Sequence, residues 1–341
     1  MSKTLLTTIA RRLGVALATI LGAAIFSFIL LRKLPGDPAR LVGGDLADAA
    51  TIAGIRQAMG LDKPLPEQFL TYLGNMFSGN LGFSYSNGQP VSELMAARLP
   101  ASAELGITAV IIALGSAMLF ASFAVYRRKR GTDIALRTAS TLAMGTPSFW
   151  LALVALLILS VQLGIFPGPE GRLSPNLNPP PNWSGFYTID ALKAGEFDVF
   201  INAVWHLILP AAMIALGPFA FLSRLFRGQL RNSARESFVV VSRSRGLRRR
   251  EVFLRHVIPN SVLPLVAATS LLFAELMTGS VLIEKVFAWP GVGSATVDAI
   301  LAKDFAVVQG VILLSAALYV TVSFLADIAY ALIDPRIRVG N

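Results

Sequence analysis

The sequence predicts an all-α fold, a polytopic membrane bundle of six transmembrane helices. Three observations point to it. Hydrophobic residues make up 54% and charged residues 15% of the 341 positions, and the mean hydropathy is +0.63, too apolar for a soluble domain of this size. Six charge-free windows approach or exceed the roughly 20 residues that a helix needs to cross hydrocarbon. Of the 30 lysines and arginines, 20 fall in alternate gaps between those windows.

The first window, 13–31, is long for the apolar core of a signal peptide, and no A-x-A site lies between its end and Pro35. Residues 1–34 are therefore expected to form an N-terminus and a retained first span. Residues 35–100 mix polar and apolar positions with Gly43, Gly44, Pro64 and Pro66, and read as an extracytoplasmic segment. Within it, 52–59 and 67–77 are expected as short amphipathic helices at the interface. The windows 105–126, 138–169, 199–223, 257–274 and 305–326 supply five further spans to a core domain, 101–341. Pro147, Pro210 and Pro218 are expected to kink their helices without ending them, and 167–198, rich in Pro, Asn and Gly, reads as an irregular loop.

With the N-terminus inside, the cytoplasmic gaps receive Lys3, Arg11 and Arg12, then Arg127 to Arg130 with Arg137, then ten arginines between 224 and 255, then Arg336 and Arg338. Both termini are accordingly expected in the cytoplasm. The loop 224–260 holds more than topology requires. It contains a short apolar run, Phe238 to Val241, and a glycine, Gly246, before the next basic cluster, the composition of a folded element on which a partner docks. The β-branched Val239, Val240 and Val241 are weak helix formers, so a helix there needs tertiary contacts.

Composition excludes several chemistries. The net charge of +10 sits in gaps between spans without interleaved aromatics, which argues against nucleic acid. Cysteine is absent, and the two histidines, His206 and His256, lie far apart, so no metal set is expected. His206, beside Trp205, reads as an interfacial anchor. Neither HExxH, GxSxG nor a GxxxxGK[ST] phosphate loop occurs, so the chain is not expected to be an enzyme, and any ATP must be bound by another subunit. Glu275 lies about 16 Å along its helix from Pro264, near the midplane, where a carboxylate is costly unless it faces a partner or a polar path. Glu104 and Asp327, near span ends, are expected to be structural.

Nine passages in order along the chain resemble the membrane subunit of ABC importers of the dipeptide, oligopeptide and nickel class, the DppB or OppB type. They are LRKLPGDP (31–38), GLDKPLP (60–66), RLP (98–100), TPSFW (146–150), HLILPA (206–211), FAWPG (287–291), VDAIL (297–301), VVQG (307–310) and DPRIR (334–338). The family's cytoplasmic loop, a helix-turn-helix ending in glycine, corresponds to FVVVSRSRG, 238–246. Gly246 matches, whereas Val240, Val241 and Ser242 stand where the loop is named for Glu-Ala-Ala.

The resemblance implies that Glu236, Phe238, Val241, Ser242, Arg245 and Gly246 couple the chain to an ATPase, while Glu275, from its midplane position, is the candidate for lining a translocation path if it does not serve a structural hydrogen bond. It also implies a second homologous permease, expected to form a heterodimer with this chain, and two cytoplasmic ATP-binding subunits that hold ATP and magnesium. An extracytoplasmic solute-binding protein completes the set, in a bacterial inner membrane. The cargo implied is a short peptide or a related solute such as a nickel complex or glutathione. The competing reading is an autonomous six-span secondary transporter or channel, against which stands the absence of an Asp/Glu/His proton relay.

Overall fold

The computed structural model of the chain describes residues 3–33, 38–43, 47–58, 60–127, 130–277 and 281–333. α1 (Lys3–Lys33) carries the first apolar window, followed by α2 (Pro38–Gly43), α3 (Ala49–Ala58) and α4 (Leu65–Phe77). The last two coincide with the expected amphipathic helices. Pro66 falls in the first turn of α4, where a missing N–H costs no helical bond. One small antiparallel hairpin, β1 (Phe83–Ser84) with β2 (Gln89–Pro90), departs from the all-helical expectation.

α5 (Val91–Arg127) begins well before its apolar window and runs through Pro100, the expected end of the outer segment. The Pro100 ring is accommodated at Gly185, where a Cβ would lie 2.6 Å from that of Pro100. α6 (Arg130–Gly145) and α7 (Ser148–Ala155) share the third window. Here a kink was expected at Pro147, but the chain breaks instead: 134–145 and 148–162 meet at 106°. Proline disfavours helical geometry at Thr146 and has no N–H to continue the ladder, and Gly145 just before it resists turning least. α7 continues as a π-helical segment, Leu156–Gln162.

The expected loop 167–198 contains a helix, α8 (Tyr187–Ala194), ended by Gly195 at φ 75°. α9 (Phe197–Ser233) keeps Pro210 and Pro218 inside one uninterrupted helix, as expected. α10 (Ser237–Ser244) and α11 (Arg249–Val252) form the basic loop, and a π-helical turn, Phe253–Val257, leads into α12 (Ile258–Met277). α13 (Val281–Val286), α14 (Val292–Leu301) and α15 (Phe305–Ile333) complete the chain.

Among the described residues α5, α9 and Phe305–Leu325 of α15 are long and apolar enough to cross a membrane, and the bent pair adds a fourth when taken as one span. The chain is a predominantly helical, multi-pass membrane protein. Its most extensive helix pair is α5 with α9. Lipid is as apolar as leucine, so such pairs form by close packing, and small residues permit it. Ala109, Ala113, Ala117 and Ala121 repeat every fourth residue on α5, fully buried, in one cluster with Leu207, Ala211, Ile214 and Leu222 of α9.

Both helices have 37 residues. At 1.5 Å per residue that is about 55 Å against a hydrocarbon core of about 30 Å, so each must project well beyond the bilayer. The overhang of α9 carries its arginines.

Candidate functional site

At the arginine-rich end, α10 stands on the C-terminal overhangs of α5 and α9. Tertiary contact holds its poor helix formers: Val239 is buried near Tyr126 and Phe253, whose rings lie 5.3 Å apart, and Phe238 is half-buried against the main core cluster. Glu236 precedes the helix in extended geometry and makes no side-chain cap. Ser242 Oγ donates to Phe238 O at 2.7 Å. The helix ends in a Schellman motif: Leu247 N–H donates to Ser242 O at 3.3 Å and Gly246 N–H to Arg243 O at 2.9 Å, with Arg245 as the C-cap. Gly246 has φ 84°, and a Cβ there would meet nothing within 4 Å, so the glycine serves conformation and not space. Arg249 lies 5.1 Å over the Tyr126 ring and donates to Tyr126 O, fixing α11 to the end of α5.

The other end of α5 is held by polar knots. Arg172, from the loop before α8, donates to Glu104 Oε2 at 2.6 Å and to Gly185 O at 2.7 Å, with its guanidinium 3.5 Å from the Tyr187 ring centroid. Glu104 Oε1 accepts from Thr188 N–H at 2.9 Å and Thr188 Oγ at 2.6 Å. Both side chains of the ion pair are at least nine-tenths buried. Glu104 and Tyr126 are 22 residues apart, about 33 Å of helix, so the two ends of α5 are tied down one hydrocarbon thickness apart.

A second knot surrounds Glu284, on α13 between the last two apolar windows and fully buried. Ser102 Oγ donates to its Oε1 at 2.7 Å and Ser294 N–H to its Oε2 at 2.8 Å, while Ser102 Oγ accepts from Val292 N–H at 2.8 Å. A Cβ at Gly291 would fall on the Glu284 carboxylate and on Ser102 Oγ, so only glycine fits. The neighbouring Trp289 is 1% exposed, and its Nε1–H donates to Ala101 O at 2.9 Å.

Burial pushes the Glu284 carboxyl above its ordinary value of 4.5, and the hydrogen bonds from Ser102 and Ser294 recover part of that. The folded chain therefore keeps this proton to higher pH than the unfolded chain. Its contribution to stability is full below the ordinary value and is lost as pH rises through the raised native one. Melting curves from about pH 4 to 8 should show the wild type losing stability relative to E284Q as pH rises. A difference that stays flat with pH would remove Glu284 as the titrating group.

The family assignment follows from comparison with known proteins. Residues 111–339 match the model of the binding-protein-dependent transport system inner membrane component, and residues 5–106 match the N-terminal model of the same systems. The chain belongs to this family. It is 37% identical over 322 residues to the probable D,D-dipeptide transport system permease protein DdpB of Escherichia coli K12, covering 94% of each chain. It is also 37% identical over 335 residues to the di/tripeptide transport system permease protein DppB of Pseudomonas aeruginosa, covering 98% of this chain and 99% of that one. The dipeptide permease DppB of Escherichia coli K12 is 33% identical over 339 residues, with 97% and 98% covered.

For this transport component, the passages that carried the resemblance acquire physical reasons. FAWPG forms the second knot, with Phe287 and Trp289 buried and Gly291 against Glu284. In VVQG, Val307 is fully buried, and a Cβ at Gly310 would lie 2.5 Å from Val91. TPSFW marks the break after α6. DPRIR lies outside the described residues.

The structure changes two of the expected residue readings and adds a third residue that the sequence did not single out. Phe238 and Val241 do not share one exposed face: Phe238 turns to the chain's own bundle, while Val240 and Val241 are 66% and 48% exposed. Three consecutive valines have no periodicity from which the sequence could reveal this. His206 is a core histidine at 4% exposure, its Nδ1 2.9 Å from Asn202 O and its Nε2 3.7 Å from Glu170; the exposed aromatic is Trp205, bonded to Ile165 O and stacked on Phe166. Arg172 passed unnoticed in a loop, yet it neutralises Glu104. Glu275 lies on α12, with its side chain outside the described residues, as is that of Asp327 on α15.

Proposed function

We propose that this chain is the membrane-spanning permease subunit of an ATP-driven importer that moves short peptides across a bacterial cytoplasmic membrane by alternating access. The observation that carries the cargo class is the end-to-end match to permeases named for di- and tripeptides. The alternation of basic residues supports six spans with both termini cytoplasmic, residues 35–100 outside and 101–341 as the core. In this reading the chain pairs with a second, homologous permease, a binding protein delivers the cargo, and two ATPase subunits hold ATP and magnesium.

The loop 224–260 supplies the coupling. Ser237, Val240, Val241 and Ser244 form one exposed stripe on α10, an apolar pair ringed by polar and basic groups such as Arg245 and Glu236, the composition of a protein interface core and rim. Gly246 and Ser242 set its angle through the Schellman turn. An ATPase gripping this stripe would bias the balance between inward-open and outward-open packings. Glu275, near the midplane, offers a counter-charge to the amino group of a passing peptide.

The test is uptake of labelled di- and tripeptides into proteoliposomes holding the chain with its partner permease, ATPase subunits and binding protein. ATP-dependent uptake that vanishes when the binding protein is omitted is expected. Uptake driven by a proton gradient without ATP would instead establish the autonomous transporter.

A further inference from the structure

A second polar feature lies between α6 and α9, where the coupling loop begins and away from the exposed stripe of α10. Each helix turns a stripe of the same spacing into one cleft: Arg137, Ser140 and Thr141 from α6, and Ser223, Arg224 and Arg227 from α9. The i, i+3, i+4 and i, i+1, i+4 spacings place each set on one helical face. The cleft has a volume of about 200 Å³, far above the ~10–15 Å³ that one water requires. Three guanidinium groups and three hydroxyls line it with Leu136, and among the described residues no carboxylate does.

Two observations mark it as a site and not a solvated face. Ser223 is fully buried, and its Oγ has no hydrogen-bond partner among the described residues, a costly state for a hydroxyl in a helix that could bond its own backbone. Ser140 opposite is also buried. Arg224 donates to Met144 Sδ at 3.5 Å, a soft and weak acceptor that an anionic oxygen would displace. Arg137 and Arg227 also line the cleft, and each engages a further group as well.

We propose that this cleft is an anion site that takes a phosphate group, with Arg224 and Arg227 as the charged donors and Ser223 Oγ as the buried one. Guanidinium groups match phosphate oxygens in paired geometry, and a hydroxyl that lacks an acceptor completes the cradle. Two sources carry this chemistry. One is the headgroup of an anionic phospholipid, since the cleft lies on the arginine-bearing parts of α6 and α9 where the chain leaves the apolar windows; the other is free phosphate.

The experiment uses the full chain in neutral detergent and reads binding, so its outcome is independent of the transport reading. Retention of phosphatidylglycerol against phosphatidylcholine is followed by native mass spectrometry, and inorganic phosphate is titrated in parallel. Preferential retention of phosphatidylglycerol is expected, weakened about tenfold or more in R224Q/R227Q and about threefold in S223A. R255Q, which removes a charge from an exposed pair with Glu251, should bind like the wild type. Competition by inorganic phosphate would identify free phosphate as an occupant, and its failure to compete would assign the cleft to lipid. Equal binding by R224Q/R227Q and R255Q, or an unchanged affinity in S223A, which alters no charge and no fold-determining contact, overturns the proposal. So does the absence of both phosphatidylglycerol preference and phosphate binding.

Discussion

Replacing Arg172 with leucine is expected to lower unfolding stability by about 3–5 kcal/mol, among the largest losses a single change in this chain can produce. Arg172 and Glu104 have side chains 7% and 5% exposed, and their oxygen-nitrogen contact is 2.6 Å. Without the guanidinium, Glu104 keeps the two hydrogen bonds from Thr188 but must hold its charge, buried, against no cation, or take up a proton. The loss is larger than for a surface pair, which is worth at most about 1 kcal/mol, because no water replaces the lost partner. The guanidinium also covers the Tyr187 ring at 3.5 Å and binds Gly185 O, so the loop before α8 loses its attachment to α5. The double variant E104L/R172L should recover much of the stability, since it removes the stranded charge as well as its partner. Thermal unfolding in detergent, with proteolysis within residues 167–186 as a local probe, measures both. If R172L melts like the wild type, the pair is a bystander and the loop is held by its other bonds, such as Gly171 N–H to Phe287 O and Ser174 with Asn202.

What could be read in advance divides along physical lines. The positions of the long helices follow from apolar length, a local property, and Gly246 reveals its turn because αL geometry is a local demand that glycine meets best. The break at Pro147 was not legible. Pro210 and Pro218 send the same local signal from within α9, and there, as at Pro100 in α5, the helix stays continuous. The eight-residue α8 is too short for periodicity to announce it. The Glu104 to Arg172 pair joins residues 68 apart, so nothing near either one discloses it. The same holds for the inner face of α10. Val239 turns inward because Tyr126 and Phe253, from α5 and the turn after α11, offer it a surface, Phe238 packs partly on the core cluster, and the exposed face is what remains.

That remaining face carries the second large effect. V240D and V241D are each expected to weaken association with the ATPase subunit roughly 30-fold or more, the scale of an interface hot spot, and to abolish ATP-driven uptake. Val240 and Val241 are 66% and 48% exposed, so an aspartate there is solvated in the free chain and costs its fold little. Only in the docked state is the charge unpaired and desolvated. F238D serves as the internal contrast: Phe238 packs on the chain's own core, so its aspartate should lower the melting temperature as well as uptake. Gly246 tests the same surface through geometry. Valine at φ 84° is strained by about 1–2 kcal/mol or more, although the space around the glycine is open, and the strain would swing α10 away from α11. G246N should retain coupling that G246V loses, because asparagine tolerates the left-handed region. Membrane insertion should be unchanged in every variant, since none touches an apolar window. Co-purification with the ATPase subunit and uptake are measured together. Full binding and full uptake in V240D and V241D would mean that the stripe is solvated surface and that the ATPase grips elsewhere.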